Sequence, residues 1–237
     1  MNVKKLQKIC VEISKLKQQL VEELPHYSNQ ALYFQNNEIT TGIINDRTEI
    51  KMHLVSGQIL YFSDEKGDFI DLEKDNISEK LQSIAKDHKL ELSDSKLENP
   101  NSDEMKSFLQ YAESAVKILE NFRMKMKAEN FTTVHLWPHH FDFSVEWFSG
   151  NKDEQIGTGI SPGDEQYSKP YIYMNPYPFN EKITESQLPF GRWHTSGWNG
   201  IKIELEDILK NSSEDTASAA DTLYNVFKVA KKNFDFN

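Results

Sequence analysis

The residues that could do chemistry are concentrated in one segment, residues 134–198. If a strand covers residues 139–148, side-chain alternation gives it one polar face. That face consists of His140, Asp142, Ser144 and Glu146. An imidazole and a carboxylate two residues apart on a sheet are neighbours that could orient a proton relay or bind a metal. The other face, which begins with His139 and Phe141, is predicted to enter the core.

A second interpretation of this strand stays open. The exposed face of an antiparallel sheet is polar simply because water wets it, and the spacing lacks the i, i+4 helical signature of a specific metal site. The catalytic candidates are Asp142, His140 and His194. The candidate metal ligands are His135, His140, Asp142 and His194, with a divalent metal as the candidate cofactor. Whether the histidines face a pocket or solvent is left undecided.

Two further segments could line a pocket. Residues 171–178 predict a strand on which Tyr171, Tyr173 and Asn175 share a face. Residues 191–198 place two indoles, a guanidinium and an imidazole in one loop, where large apolar rings must be covered by something. The candidate ligand-binding residues are Tyr173, Arg192, Trp193 and Trp198. Either Arg192 binds an anionic group beside an indole face, or the loop folds back on the core with Arg192 paired to an acidic neighbour.

The glycines of residues 157–163 lack the spacing of a phosphate-binding loop, so this segment predicts a strand that ends in a Pro-Gly turn. No chemistry is assigned to it.

The elements that must position these residues follow from hydrophobic periodicity. Apolar steps of three and four predict a helix from Val3 to Leu24, stopped by Pro25, and further helices over 103–128 and 215–231. A shorter helix follows a cap at Asp75 or Asn76, and Ser212 or Ser213 could cap the last one. Short β-type runs between residues 31 and 72 predict an antiparallel meander, with turns at residues 56–57 and 64–67.

These elements predict an α+β fold in which antiparallel sheets pack against long amphipathic helices. The order helix, meander, helix occurs twice, which suggests two similar α-β-α halves. The domain prediction is a single domain over residues 1–237. The alternative split is 1–95 and 103–237, because the polar stretch 90–102 is long for a loop.

Composition narrows the partners and the compartment. The 27 basic and 37 acidic residues give a net charge of −10 and a pI near 5.2, which disfavours binding to a polyphosphate backbone. The sequence contains neither a secretory signal nor an apolar run long enough for a membrane span. A single cysteine, Cys10, fits a reducing compartment. The sequence therefore predicts a cytoplasmic protein without nucleic-acid or membrane partners.

The resemblance of this chain to a known family rests on four motifs, which occur in the following order. They are LWPHHFD (136–142), SPGD (161–164), YIYMNPYP (171–178) and LPFGRWHTSGW (188–198). Over residues 133–200 the chain resembles an uncharacterised, mostly bacterial family that is catalogued only as a domain of unknown function. Some longer members keep equivalents of His135 and of Phe141-Asp142 and replace the paired histidines, so the resemblance favours His135 and Asp142. It implies no activity, cofactor or partner.

Two functions remain as hypotheses. The first is a protein that binds or converts a small molecule in a pocket lined by segment 135–198. The alternative is a non-catalytic protein–protein interaction module that uses loop 191–198, since Trp and Arg anchor such surfaces. In that case the partner could be a second copy of the chain, a homo-oligomer. Whether the protein is an enzyme is left open.

Overall fold

A computed structural model describes residues 3–45, 47–63, 66–93, 96–151, 153–213 and 215–236. It contains long helices and two antiparallel sheets, which confirms the α+β class. The chain forms two compact units, one from residues 1–113 and 135–141 and the other from residues 114–134 and 142–237.

The first unit is built on an antiparallel meander in which each strand pairs with the next along the chain. Its elements are α1 (Lys4–Leu20), the five meander strands β1 (Tyr33–Gln35), β2 (Glu38–Thr40), β3 (Glu49–His53), β4 (Gln58–Ser63) and β5 (Lys66–Asp71), then α2 (Ile77–Asp87), the first half of α3 (Ser102–Lys125) and, outside the meander, β6 (His135–Trp137). The 56–57 turn is confirmed, with Gly57 at φ 64°. Residues 64 and 65 of the second predicted turn lie outside the described part of the chain, and β2 was not predicted.

The predicted apolar stripe of helix α1 is buried in the structure. Leu6, Ile9 and Ile13 are fully buried, and the buried carboxylate of Glu104 accepts hydrogen bonds from the backbone N–H groups of Lys5 and Leu6. A carboxylate at this end satisfies donors that the helix leaves unpaired and complements its dipole. The helix ends at Leu20 instead of continuing to the predicted stop at Pro25.

The second unit contains five strands of the other sheet. Its elements are the second half of α3, β7 (Asp142–Phe148), β8 (Gln155–Ser161), β9 (Tyr171–Tyr177), β10 (Arg192–His194), β11 (Gly200–Glu204), α4 (Leu205–Asn211) and α5 (Thr216–Lys231). These five strands pair in the order β10-β11-β9-β8-β7. The predicted caps at Ser212 and Ser213 are wrong, because the side chain of Asp215 caps α5. The short elements α4 and β11 were not predicted.

The apolar face of this sheet forms the core of the second unit. Phe143, Val145, Ile172 and Ile201 are fully buried on it. Trp147 of β7 meets Phe227 of α5 edge to face, with ring centroids 5.5 Å apart. Because this face is occupied by core packing, any chemistry of the sheet belongs to the opposite face. Among the described residues, no helix is long and apolar enough to cross a membrane.

The connection between α2 and α3 is tied down by Asn99. Its amide nitrogen donates to the backbone oxygens of Leu72 (2.6 Å) and Asp75 (2.7 Å), and its side-chain oxygen accepts from the N–H of Ile77 (3.2 Å). One side chain thus joins the connection to the start of α2.

We expect Asn99→Ala to lower the free energy of unfolding by about 2–3 kcal/mol, because it removes three hydrogen bonds and leaves backbone groups unpaired. Urea denaturation would measure the change. Asn225→Ala, at an exposed position of α5, is the control and should change stability by less than about 0.5 kcal/mol. Equal stability of the two variants would contradict this role for Asn99.

Candidate functional site

Strand register places a set of polar side chains on one face of the second sheet, which we call the polar face. It consists of Asp142, Ser144, Glu146, Ser161, Tyr171, Tyr173, Asn175, Arg192, His194, Lys202 and Glu204, with glycines at 157, 159 and 200. The predicted shared face of Tyr171, Tyr173 and Asn175 is confirmed. The polar face is not an open, wetted surface, since Asp142 is 4%, Ser144 1% and Lys202 1% exposed.

Two glycines of β8 make room for this arrangement. A Cβ at residue 157 would lie 2.9 Å from a carboxyl oxygen of Glu146, and one at residue 159 would overlap the ring of Tyr173. Glu146 reaches over β8 from β7, and Tyr173 reaches over it from β9. The β8 backbone is therefore a floor on which both side chains lie.

The hydroxyl of Tyr173 donates a hydrogen bond to the carboxylate of Asp142. Burial, followed by the charge of Asp142 and this hydrogen bond, holds the pKa of Tyr173 well above its usual value. The tyrosine therefore remains a neutral donor, and Asp142 is placed as an acceptor.

Glu146 is the least satisfied acid of the polar face. It is half-buried, and its carboxyl group has no hydrogen-bond or ion-pair partner among the residues that the structure describes. Burial, together with the nearby charge of Asp142, raises the pKa of Glu146 to about 7. A carboxyl group with this pKa can take up or release a proton near neutral pH.

Lys202, by contrast, is fully engaged. Its ammonium pairs with Glu204 and lies over the rings of Tyr167 and Tyr171, 4.1 and 5.1 Å from their centroids. Burial tends to raise the pKa of Glu204, but bonding to Lys202 and Arg192 outweighs it, so the pKa is below its usual value. The charge of the buried Lys202 ammonium is thus compensated by Glu204, which lies on the same strand.

His194 and Trp198 close the polar face on one side. His194 is 6% exposed; its Nδ1 donates to the backbone oxygen of Trp198 (2.9 Å), so in the neutral ring Nε2 accepts from the hydroxyl of Tyr167 (2.6 Å). The rings of His194 and Trp198 stack with centroids 3.9 Å apart. Trp198 also lies 6.4 Å from Tyr171, nearly parallel, and 6.4 Å from Tyr173. These contacts make Trp198 a wall of the site.

The other two candidate residues of loop 191–198, Arg192 and Trp193, contact other residues of the protein's own chain. Arg192 is exposed and pairs with Glu204 at 3.3 Å. Of the two predicted alternatives, this is the one in which Arg192 pairs with an acidic neighbour. The indole N–H of Trp193 donates to the backbone oxygen of Ser186 (2.9 Å). This segment includes the short strand β10 and is not a free loop.

The predicted histidine row is wrong in its geometry. Strand β7 begins at Asp142, and residues 138–141 form a turn in which Phe141 has φ 58°. His139 and His140 are exposed in that turn. The two histidines therefore do not alternate along the strand with Asp142, and the i, i+2 pairing of His140 with this carboxylate is lost.

His135 is buried in β6, in the first unit. Its ring lies 5.4 Å from that of Tyr33. Burial, followed by the charges of Lys17 and His26, lowers the pKa of His135 to about 4. His135 and His140 belong to the first unit, whereas Asp142, Tyr173, His194 and Trp198 belong to the second. In the described part of the chain, no three His, Cys, Asp or Glu side chains group so that they could hold a metal ion.

An open groove of about 850 Å³ lies at the β11 end of the polar face. It is lined by residues 166–170 and by Lys202, Glu204, Leu205, Glu206, Asp207 and Leu209. Strand β11 is three strand spacings from β7, the strand of Glu146, which is roughly 14 Å. Its charged walls are largely paired, as in Lys169 with Glu206. We therefore centre the candidate site on Glu146, Tyr173 and Trp198.

Sequence reasoning missed the roles of Glu146, Tyr167 and Lys202. Glu146 was placed on the correct face, but nothing in the pattern showed that the face would be buried. The available signal was the Gly-x-Gly spacing of residues 157 and 159 inside a strand, since glycine there marks a close approach by other groups. Comparison of the chain with family models, curated proteins and solved structures finds no match.

We expect Gly159→Ala to lower the free energy of unfolding by about 2–3 kcal/mol, because the added methyl group displaces Tyr173 from Asp142. Gly67→Ala is the matched control. A Cβ at residue 67 would meet its nearest atoms at 3.7 Å in a strand. Guanidinium denaturation of both variants would test this, and a fully stable Gly159→Ala protein would contradict the close packing.

Glu146→Gln should alter the pH dependence of stability. The folded protein raises the pKa of Glu146 from 4.5 to about 7, so it holds the proton more tightly than the unfolded chain. The resulting stabilisation is present below pH 4.5 and is lost as the pH rises through 7. The variant should therefore match the wild type at pH 4 and exceed its stability at pH 8 by up to about 3 kcal/mol.

Thermal unfolding at both pH values measures this difference. Glu185→Gln, at an exposed position, is the control and should shift both values equally. A stability difference between Glu146→Gln and wild type that is the same at pH 4 and pH 8 would show that Glu146 is not perturbed.

Proposed function

We propose that the protein binds a small organic molecule on the polar face of the second unit, against the carboxyl group of Glu146 and the ring of Trp198. The observation that carries this proposal is the half-buried carboxyl group of Glu146, which has no donor among the described residues. Removing such a group from water without a partner is costly. Strongly perturbed acids of this kind concentrate at functional sites.

The side chains that share the polar face with Glu146 support this proposal. Ligand sites combine aromatic walls with a few convergent polar groups. Trp198 and Tyr173 supply the walls, and Asp142 and Asn175 supply polar groups on the same face. A carboxyl group with a pKa near neutrality is also suited to general acid–base chemistry, which is how such a binding site would become catalytic.

The interaction module that uses loop 191–198 is less well supported. The rings of Trp193 and Trp198 are both half-buried and contact the protein's own chain, and Arg192 is paired with Glu204. An anchor residue of an interface is expected to be available to the partner. The predictions of a cytoplasmic location, of no nucleic-acid partner and of kinship with a bacterial family rest on the sequence alone.

A fragment screen tests the proposed function. We expect cationic, neutral and anionic fragments to include binders that shift the backbone amide signals of Glu146, Tyr173 and Trp198 in ¹⁵N-labelled protein. Trp198→Ala should weaken these binders by about tenfold, because it removes a stacking wall. Tyr177→Ala, which removes an exposed ring at the end of β9, is the aromatic control and should not.

A screen in which no fragment shifts these signals would overturn the proposal. So would binders that lose no affinity in Trp198→Ala. If that variant loses its fold, Trp198→Phe together with the map of shifted amides in the wild type decides the outcome.

A further inference from the structure

We propose that the ligand of this site is a small organic cation: a protonated amine, amidine or guanidine whose N–H groups face Glu146 and Asn175. The inference rests on the proposed function and assigns the chemical class of its ligand. Three features of the polar face support it: unmatched acceptors, an unbalanced negative charge and an indole wall.

The unmatched acceptors lie in one row across the sheet. Glu146 and Asn175 are both in register with Gly157, one on each neighbouring strand. The side-chain oxygen of Asn175 is buried without a hydrogen-bond partner in the described residues, and the carboxyl group of Glu146 likewise has no donor there. In its ionised form the carboxyl group of Glu146 can only accept hydrogen bonds, as can the amide oxygen of Asn175. A ligand that satisfies both must bring N–H or O–H donors.

The strand between Glu146 and Asn175 carries no side chain at the position in register with both. Their backbones are roughly 10 Å apart, two strand spacings, and the residue between them is Gly157. The carboxyl group of Glu146 leans over this glycine, 2.9 Å from where a Cβ would stand. Asn175 extends the other way, with its oxygen 2.7 Å from the Cβ position of Gly200. The glycines at both positions therefore leave room for the two acceptor groups, whose oxygens lie over Gly157 and Gly200.

The charge of the face is unbalanced at Glu146. Lys202 and Arg192 both pair with Glu204, so the basic side chains of the polar face serve the other end. Asp142 lies on the same strand as Glu146 and is near enough to raise its pKa. A bound cation would lower that pKa and stabilise the ionised carboxyl group. The net charge of −10 would also attract cations to the protein.

The aromatic wall formed by Trp198 also favours a cationic ligand. The face of an indole attracts a cation through its negative quadrupole, most strongly when water is excluded. Trp198 is held by its stack on His194 and lies within 6.4 Å of the ring of Tyr173. The hydroxyl of Tyr173 is bound to Asp142, so the ring is fixed in place. A planar amidine or guanidine can contact such rings while its N–H groups point along the sheet.

Four matched probes test the class of ligand: benzamidinium, benzamide, benzoate and phenyltrimethylammonium. They share one ring and differ in charge and in N–H groups. Binding is followed in full-length ¹⁵N-labelled protein by the amide signals of Glu146, Tyr173 and Asn175. We expect benzamidinium to bind in the millimolar range and the other three about tenfold more weakly or not at all.

Variants show whether Glu146 provides the recognition. Glu146→Gln and Asn175→Ala should weaken benzamidinium by about tenfold and about threefold, respectively. Glu185→Gln removes the same charge at an exposed position and should leave the affinity unchanged. Higher salt should weaken the binding of benzamidinium but not that of benzamide.

The outcomes separate this inference from the proposed function. If benzoate or benzamide binds at these amides as tightly as benzamidinium, the ligand is not specifically a cation, but the proposed binding site still stands. The same holds if none of the four probes binds while other fragments of the screen do, or if benzamidinium binds Glu146→Gln undiminished. If no fragment of any charge shifts these signals, the proposed function fails together with the inference.

Discussion

The absence of side chains at two positions of β8 is the constraint on which the polar face depends. Because residues 157 and 159 are glycine, Glu146 and Tyr173 can lie across the strand from opposite sides. The Tyr173 hydroxyl then reaches Asp142, and the ring meets Trp198. Any side chain at these positions would displace Glu146 or Tyr173, so the position of the Glu146 carboxyl group and the hydrogen bond from Tyr173 to Asp142 depend on this floor.

Buried charges elsewhere in the chain show why Glu146 is unusual. In the first unit, Glu104 accepts two backbone N–H groups. Lys17 donates to the backbone oxygens of Ser28 and Ala31, and burial lowers its pKa to about 8. Each of these charges stabilises a helix end or a turn. The carboxyl group of Glu146 makes no such bond to the residues that the structure describes, and its burial opposes folding above neutral pH. Proteins keep such costs chiefly where function requires them.

The long elements could be predicted because their periodicity is set by burial of one face. The stripes of α1, α3 and α5 were correctly predicted, and of the two predicted caps of α2, Asp75 or Asn76, the structure shows Asn76. Strand β2, helix α4 and strand β11 were missed, since elements of three to seven residues carry too few periods to recognise. The predicted start of strand β7 was three residues too early. The turn at 138–141 depends on a positive φ at Phe141, and a residue other than glycine gives no sign of such a φ in the sequence.

The sequence by itself determined the fold class, the antiparallel pairing expected of short β-type runs, and the segment that holds the candidate site. Local propensity and hydrophobic spacing are properties of neighbouring residues, so they can be read along the chain. Only the tertiary structure decided that Asp142, Tyr173 and His194 share a polar face that Trp198 closes on one side, and that His140 stands in an exposed turn. It also showed that Lys202 is paired with Glu204, whereas the carboxyl group of Glu146 has no partner in the described part of the chain. Burial and hydrogen-bond partners depend on strands far apart in the chain, and their effects on charge appear only when those strands meet.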